Sequence, residues 1–350
     1  MTVERIISYA EALREATDQE MEQDASVVVF GLGIDDPKGT YGTTSGLADK
    51  YGPSRVFDTP LSEEGMTGFA VGAALAGLRP IHVHIRMDFV MLAMNQIVNF
   101  ASKAHYMYGG AVSVPCVIRS IIGRSWGQGP QHSQALHSFF MHVPGLRVVA
   151  PTTPFDAKGC LTTSIRDNNP VMFIEHRMLH QQRGHVPQEP YAVPLGKARV
   201  LTTGDDITIV GVSHLVVECL RAYSVLSEVG IAAEVIDPIW LAPLDMDTIL
   251  ESAHKTGHVL IVDSGWTSCG ASAEIMARII EQTQEDSKIL VQRMGFAPVT
   301  CPTTPNLEDL FYPNARRIAE AANQMLKRRT DGWIPAIDQA REILEFKGPF

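Results

Sequence analysis

Asp58-Thr59-Pro60-Leu61-Ser62-Glu63-Glu64-Gly65 closes one apolar segment and opens another. Behind it Met66, Phe69, Ala70, Ala73 and Ala74 recur at helical spacing, which predicts a helix with one core-facing side. Its first turn then points past the end of the preceding strand. Two readings of the carboxylates follow. Ser62 is a good N-cap, and acids in a first turn are stabilised by the helix dipole and the free N–H groups, so the pair can be purely structural. Alternatively, the turn presents an acid to whatever lies beyond the strand.

The strand-then-helix unit repeats outward from this point. A helix over 9–24 precedes a strand at 26–30, and the Gly-rich stretch 31–52 reads as loop and turn. Beyond the central helix come a strand at 80–85, a long helix over 89–106, and strands at 115–119, 147–150 and 171–175, with a helix over 154–166 between the last two. Gln, Gly, Pro and charged residues then break the pattern between His180 and Asp206. A second series follows: a strand at 207–212, a helix that Ser213 caps and Gly230 stops, strands at 233–236, 258–262 and 288–291, and a helix over 245–254. Near-continuous apolar strands alternating with helices predict an α/β chain with two doubly wound parallel-sheet domains. The expected boundaries are 1–185 and 207–330, with a linker over 186–206 and a helical extension over 331–350.

Composition narrows the function. With 350 residues, 45% of them hydrophobic and 19% charged, the chain can bury two ordinary cores. A net charge of −10 argues against nucleic-acid or anionic-membrane surfaces, and Lys327-Arg328-Arg329 reads as a solvated helix end. No apolar run approaches the roughly 20 residues that span a bilayer, and the first residues lack a secretory layout, so a cytoplasmic location is expected. Cys116, Cys160, Cys219, Cys269 and Cys301 have no C-x-x-C spacing and read as reduced, mostly buried thiols. Gly31-Leu32-Gly33 follows a strand, but Asp36 stands where a dinucleotide fingerprint needs its third glycine.

Asp58–Gly65 together with Gln131-His132-Ser133-Gln134 resembles the β subunit of the thiamine-diphosphate-dependent 2-oxo acid dehydrogenases, the E1 component of the pyruvate and branched-chain complexes. The likeness runs from about Ala10 to Leu326. It implies a pyrimidine-binding domain followed by a transketolase C-terminal-like domain. In that family the residue matching Glu63 activates the cofactor through N1′ of its aminopyrimidine, with Glu64 as the neighbouring alternative. The family's aromatic against the same ring matches Phe89, otherwise an ordinary core residue at a helix start. His132 matches the active-site histidine that handles protons at the substrate or during acyl transfer, although twelve histidines compete for such a role. Arg86, His84 and Arg124 could reach a substrate carboxylate. Ser164, Asp167 and Asn169 match a potassium site, while the same Asp-Asn-Asn-Pro run also makes an ordinary turn.

The resemblance also implies partners. The Gly-Asp-Gly motif that holds the diphosphate through Mg²⁺ in this superfamily is absent from the sequence. An α subunit carrying that motif and the Mg²⁺ is therefore expected, in an α2β2 assembly, with a lipoyl acyltransferase E2 as a further partner. The chain departs from the family at Leu32 and Gly33, where acids are usual, at Pro238–Ala242, and at Arg124-Ser125-Trp126. The implied reaction is decarboxylation of a 2-oxo acid with transfer of the acyl unit, usually to lipoamide. A split transketolase-like or acyloin-forming enzyme, and a scaffolding subunit without catalysis, are the alternatives.

Overall fold

The computed structural model describes residues 5–123, 127–283, 288–328 and 332–337. Two compact units separate within it: residues up to 123 with 139–195, and the stretch ending at 138 with everything from 196 onward.

The first unit opens with β1 (Ile6–Ser8) and α1 (Tyr9–Gln23). Ser8 and Glu11 close a capping box, the Ser8 hydroxyl accepting from the Glu11 N–H at 3.2 Å and the Glu11 carboxylate accepting from the Ser8 N–H at 2.7 Å. Then follow β2 (Val27–Gly31), α2 (Leu47–Tyr51), β3 (Val56–Asp58), α3 (Glu63–Leu75), β4 (Arg79–His84), α4 (Met87–Val90), α5 (Ala104–Met107) and β5 (Val117–Ile122). The series ends with α6 (His137–Met141), whose first two residues fall in the second unit, then β6 (Arg147–Val149), α7 (Pro154–Arg166), β7 (Val171–His176) and β8 (Arg183–His185). Strands β6-β7-β5-β4-β2-β3 lie side by side and all run parallel. β2, β5 and β7 are buried along their whole length, which is why they read as unbroken apolar runs. At Gly31 β2 leaves no room for a side chain beside β4: a Cβ there would lie 2.2 Å from the Val83 carbonyl oxygen.

The second unit contains β9 (Arg199–Val200), β10 (Ile207–Gly211), α8 (Leu215–Glu228), β11 (Ala233–Asp237), β12 (Trp240–Ala242), α9 (Met246–Thr256) and β13 (His258–Trp266). It finishes with α10 (Ala271–Gln282), β14 (Leu290–Phe296), α11 (Pro305–Phe311) and α12 (Ala315–Leu326). β14-β13-β10-β11 is a parallel sheet, and β9 adds an antiparallel edge to β11. α8 and α12 seal one face through residues such as Cys219, Ala222, Ile318 and Ala322, and α9 and α10 seal the other through Ile249, Ala253, Ile275 and Ile279. Both sheets are therefore doubly wound.

Several expectations are revised. The helix over 89–106 is broken into α4, a 3₁₀ turn (Met91–Ala93), a π-helical turn (Asn95–Ala101) and α5. An apolar stripe cannot tell these tight and wide turns apart. Ser213 does not cap α8: it sits at φ +55, and His214 takes the N-cap position without a side-chain cap bond. The irregular stretch after His180 contributes β8, paired antiparallel with β1, and the expected linker contributes β9. α2, α6, α10 and α11 were not foreseen, and of α12 only its basic C-terminal end was. Of the expected C-terminal helix, residues 332–337 are not helical and the remainder lies outside the described residues. All five cysteines are free, and Cys269 alone of them is exposed. No helix among the described residues is long and apolar enough to cross a membrane.

Candidate active site

The opening stretch deploys its acids separately. Asp58 ends β3 and its carboxylate accepts the Gly33 N–H at 2.6 Å, fixing the loop after β2. Ser62 occupies the N-cap of α3 but makes no side-chain cap bond. The buried face of α3 is Thr67, Ala70, Val71 and Ala74. Phe69, expected in the core, is 50% exposed, its ring edge-on to Phe30 at 5.3 Å. Glu63, the first residue of the helix, is half-buried, and among the described residues its carboxylate takes part in no hydrogen bond or ion pair. A carboxyl group beside unpaired first-turn N–H groups and beyond the carboxyl end of a parallel strand is placed to meet a ligand.

The carboxyl end of β4 supplies the next residues. His82 and His84 project to one side of the strand, their rings 4.2 Å apart. His82 Nδ1 lies 3.3 Å from the Phe30 carbonyl and His84 Nε2 lies 3.2 Å from the Thr67 hydroxyl. Burial pushes His82 down to about 4 and His84 well below its ordinary value. His84 is thus a buried prop beneath α3, held on the Thr67 hydroxyl. Arg86 is buried and donates from Nη1 to the Gly123 carbonyl at 3.3 Å. The His176 ring packs on Gly123 so closely that a Cβ would fall 2.5 Å from it. Phe89, in the short helix α4, keeps 37% of its surface exposed. Arg124, Ser125 and Trp126 lie outside the described residues.

His132 sits in the non-helical stretch before α6 and is half-buried, between exposed Gln131 and buried Ser133. Gly127 (φ +61) and Gly129 (φ +68) both press on Thr303, where added Cβ atoms would come within 2.9 and 2.7 Å. Five residues after His132, His137 Nε2 donates to Asp263 Oδ1 at 2.9 Å, and both side chains are buried. Sequence reasoning missed this pair, because its members are 126 positions apart.

The potassium candidates are engaged with protein. The Ser164 hydroxyl donates to the Cys160 carbonyl at 2.7 Å, and Asp167 Oδ1 accepts from the Asn169 N–H and from Asn169 Nδ2 at 2.9 and 2.7 Å. Arg79 Nη1 donates to the Ile165 and Asp167 carbonyls at 2.9 and 3.1 Å. These contacts describe a closed turn at the end of α7.

Residues 5–182 match the transketolase pyrimidine-binding domain and residues 196–318 the transketolase C-terminal domain. The β subunit of an acetoin:2,6-dichlorophenolindophenol oxidoreductase of Cupriavidus necator is 41% identical over 333 residues, covering 92% of this chain and 98% of that protein. The chain belongs to the E1 β-subunit family of the thiamine-diphosphate-dependent 2-oxo acid dehydrogenases. The pyruvate dehydrogenase E1 β subunit of Rickettsia bellii is 40% identical, covering 91% of this chain and 98% of its own length. The same fold recurs in a split-gene transketolase described as an inactive β4 tetramer, with a TM-score of 0.76 at 22% identity, over 92% of this chain and 99% of that one. Membership of the E1 β family carries with it the two transketolase-type domains and dependence on thiamine diphosphate.

Proposed function

We propose that this E1 β chain works in a heteromeric enzyme that decarboxylates a 2-oxo acid and passes on the acyl unit, with Glu63, Phe89 and His132 as its site residues. The observation that carries this reading is Glu63: a half-buried carboxyl at the start of α3 with no protein partner among the described residues. When bound, thiamine diphosphate supplies a nucleophilic carbon that adds to the substrate carbonyl and an electron sink for the pair released with CO2. Glu63 would hold a proton between its carboxyl and a ring nitrogen of the bound aminopyrimidine. The Phe89 ring would pack against the flat heteroaromatic ring of the bound cofactor. His132 exchanges a proton with the substrate oxygen or with the acceptor. An α chain supplies the diphosphate and Mg²⁺ contacts, since Gly-Asp-Gly is missing here. A lipoyl group on an E2 partner is the expected acceptor.

A second reading, cleavage or formation of an acyloin by the same residues, is favoured by the relative whose name specifies acetoin. One assay separates the two. This chain co-expressed with its α chain, with thiamine diphosphate and Mg²⁺, is offered a panel of 2-oxo acids and acyloins. Release of CO2 that Glu63→Gln lowers on the order of 10³-fold is expected. No release from any 2-oxo acid by a complex that binds the cofactor would sink the decarboxylase reading, and turnover of acyloins alone would establish the second. Cofactor binding with neither activity would leave a scaffolding subunit.

A further inference from the structure

Asp263 stands at the carboxyl end of β13, where one carboxylate ties three elements together. Oδ1 accepts from His137 Nε2 at 2.9 Å, and Oδ2 accepts from the Ser272 N–H in the first turn of α10 at 2.8 Å. Nε2 is the donor because an ionised carboxylate only accepts. The backbone is shaped around the contact. A Cβ on Gly265 would come within 3.1 Å of His137 Cε1 and 3.4 Å of the Ala135 carbonyl, and one on Gly270 would come within 2.7 Å of Asp263 Oδ2. His137 and Asp263 are essentially without solvent exposure, and the His137 Nδ1 atom is buried with no hydrogen-bond partner. A buried polar pair of this kind is costly to form and costly to break, which makes it a device for fixing geometry.

What it fixes is the stretch that carries His132. That stretch is held at its front by Gly127 and Gly129 against Thr303, and at its rear by Ala135 against Gly265 and by His137 on Asp263. All of these contacts fall within the second unit. We infer that the His137–Asp263 pair is a clasp that holds residues 127–136 on the second unit and thereby positions His132 for its proton transfer. His137 and Asp263 are positioning residues, since neither is exposed to a substrate. The inference rests on the proposed role of His132, and its test is arranged so that the two can fail separately.

The experiment uses the co-expressed complex with thiamine diphosphate and Mg²⁺, and compares His137→Phe, His137→Gln, His132→Ala and the double variant His132→Ala/His137→Phe. Gln can place an amide N–H where Nε2 stands, whereas Phe cannot. We expect His137→Phe to lower kcat about 10- to 100-fold with little change in KM, because small misplacements of a catalytic group cost on that order. His137→Gln should restore most of it. The double variant should be no slower than His132→Ala alone, as two residues acting through one step are not additive. Hydrogen exchange over 127–136 should quicken in His137→Phe and return toward wild type in His137→Gln. Additive losses, or exchange over 127–136 unchanged by His137→Phe, would overturn the clasp. If His132→Ala leaves turnover intact, the role of His132 fails instead, and the exchange result still decides whether the clasp holds the loop.

Discussion

His82 shows how a single buried side chain sets a pH limit on the fold. Its ring packs against Phe30 at 5.1 Å and against His84, and burial holds it down to about 4, against an ordinary 6.5. The unfolded chain therefore takes up the proton first as pH falls. Its contribution to stability is complete above pH 6.5 and is lost progressively as pH drops to about 4, amounting to roughly 3 kcal/mol over that window. His84, depressed in the same direction, adds to the loss. We predict that the urea midpoint falls between pH 6.5 and 4, and that His82→Phe reduces the slope by about one proton. An unchanged slope in that variant would refute the assignment. At this scale the sequence is only partly legible. Glu63 is marked by its place at the start of a strand-following helix, and His132 by its Gly-rich flank. Arg119 and Glu175, fully buried and joined at 2.6 and 3.0 Å, are 56 positions apart, and nothing local to either announces the other. Glu175 is raised by burial but more than compensated by the Arg119 charge and the His180 contact, and ends at about 2.

Elements declare themselves where their ends carry their own chemistry. α7 spans the expected residues because Thr153 caps it, accepting the Asp156 N–H at 3.0 Å, and Pro154 starts it. α9 is similar: Asp245 Oδ1 accepts the Thr248 N–H at 3.4 Å, and Oδ2 accepts the Thr248 hydroxyl at 3.0 Å. Asp245 Oδ2 also accepts the Ala198 N–H at 3.1 Å, so this cap fastens the segment leading into β9. Asp245→Ala should cost about 2 kcal/mol, since it orphans N–H groups of two segments, and Asp245→Asn should cost less. A urea midpoint for Asp245→Ala equal to wild type would show that the cap is idle. Elements without such local signals were misread. β1 and β8 are three residues each, and only their pairing with one another makes them strands. The turns between α4 and α5 share one apolar pattern but differ in hydrogen bonding, which residue spacing does not encode.

For the whole molecule, the question is what one chain can bind unaided. Thiamine diphosphate carries its negative charge on the diphosphate, which must be met by Mg²⁺ or by cations. The sequence has no Gly-Asp-Gly and a net charge of −10, and no group of three or more His, Cys, Asp or Glu side chains among the described residues could hold a metal ion. The first unit also leaves Leu61, Phe69, Leu92, Phe100, Tyr106 and Met107 at least half exposed, more apolar surface than isolated side chains explain. Both observations are those of a chain that works with a partner. Titration of the isolated chain with thiamine diphosphate and Mg²⁺ should therefore give no Mg²⁺-dependent heat, whereas the complex with its α chain should bind with an Mg²⁺-dependent affinity at least 100-fold higher, about 2.7 kcal/mol. Tight, Mg²⁺-dependent binding by this chain alone would place the diphosphate site on its own residues and remove the argument for an α chain.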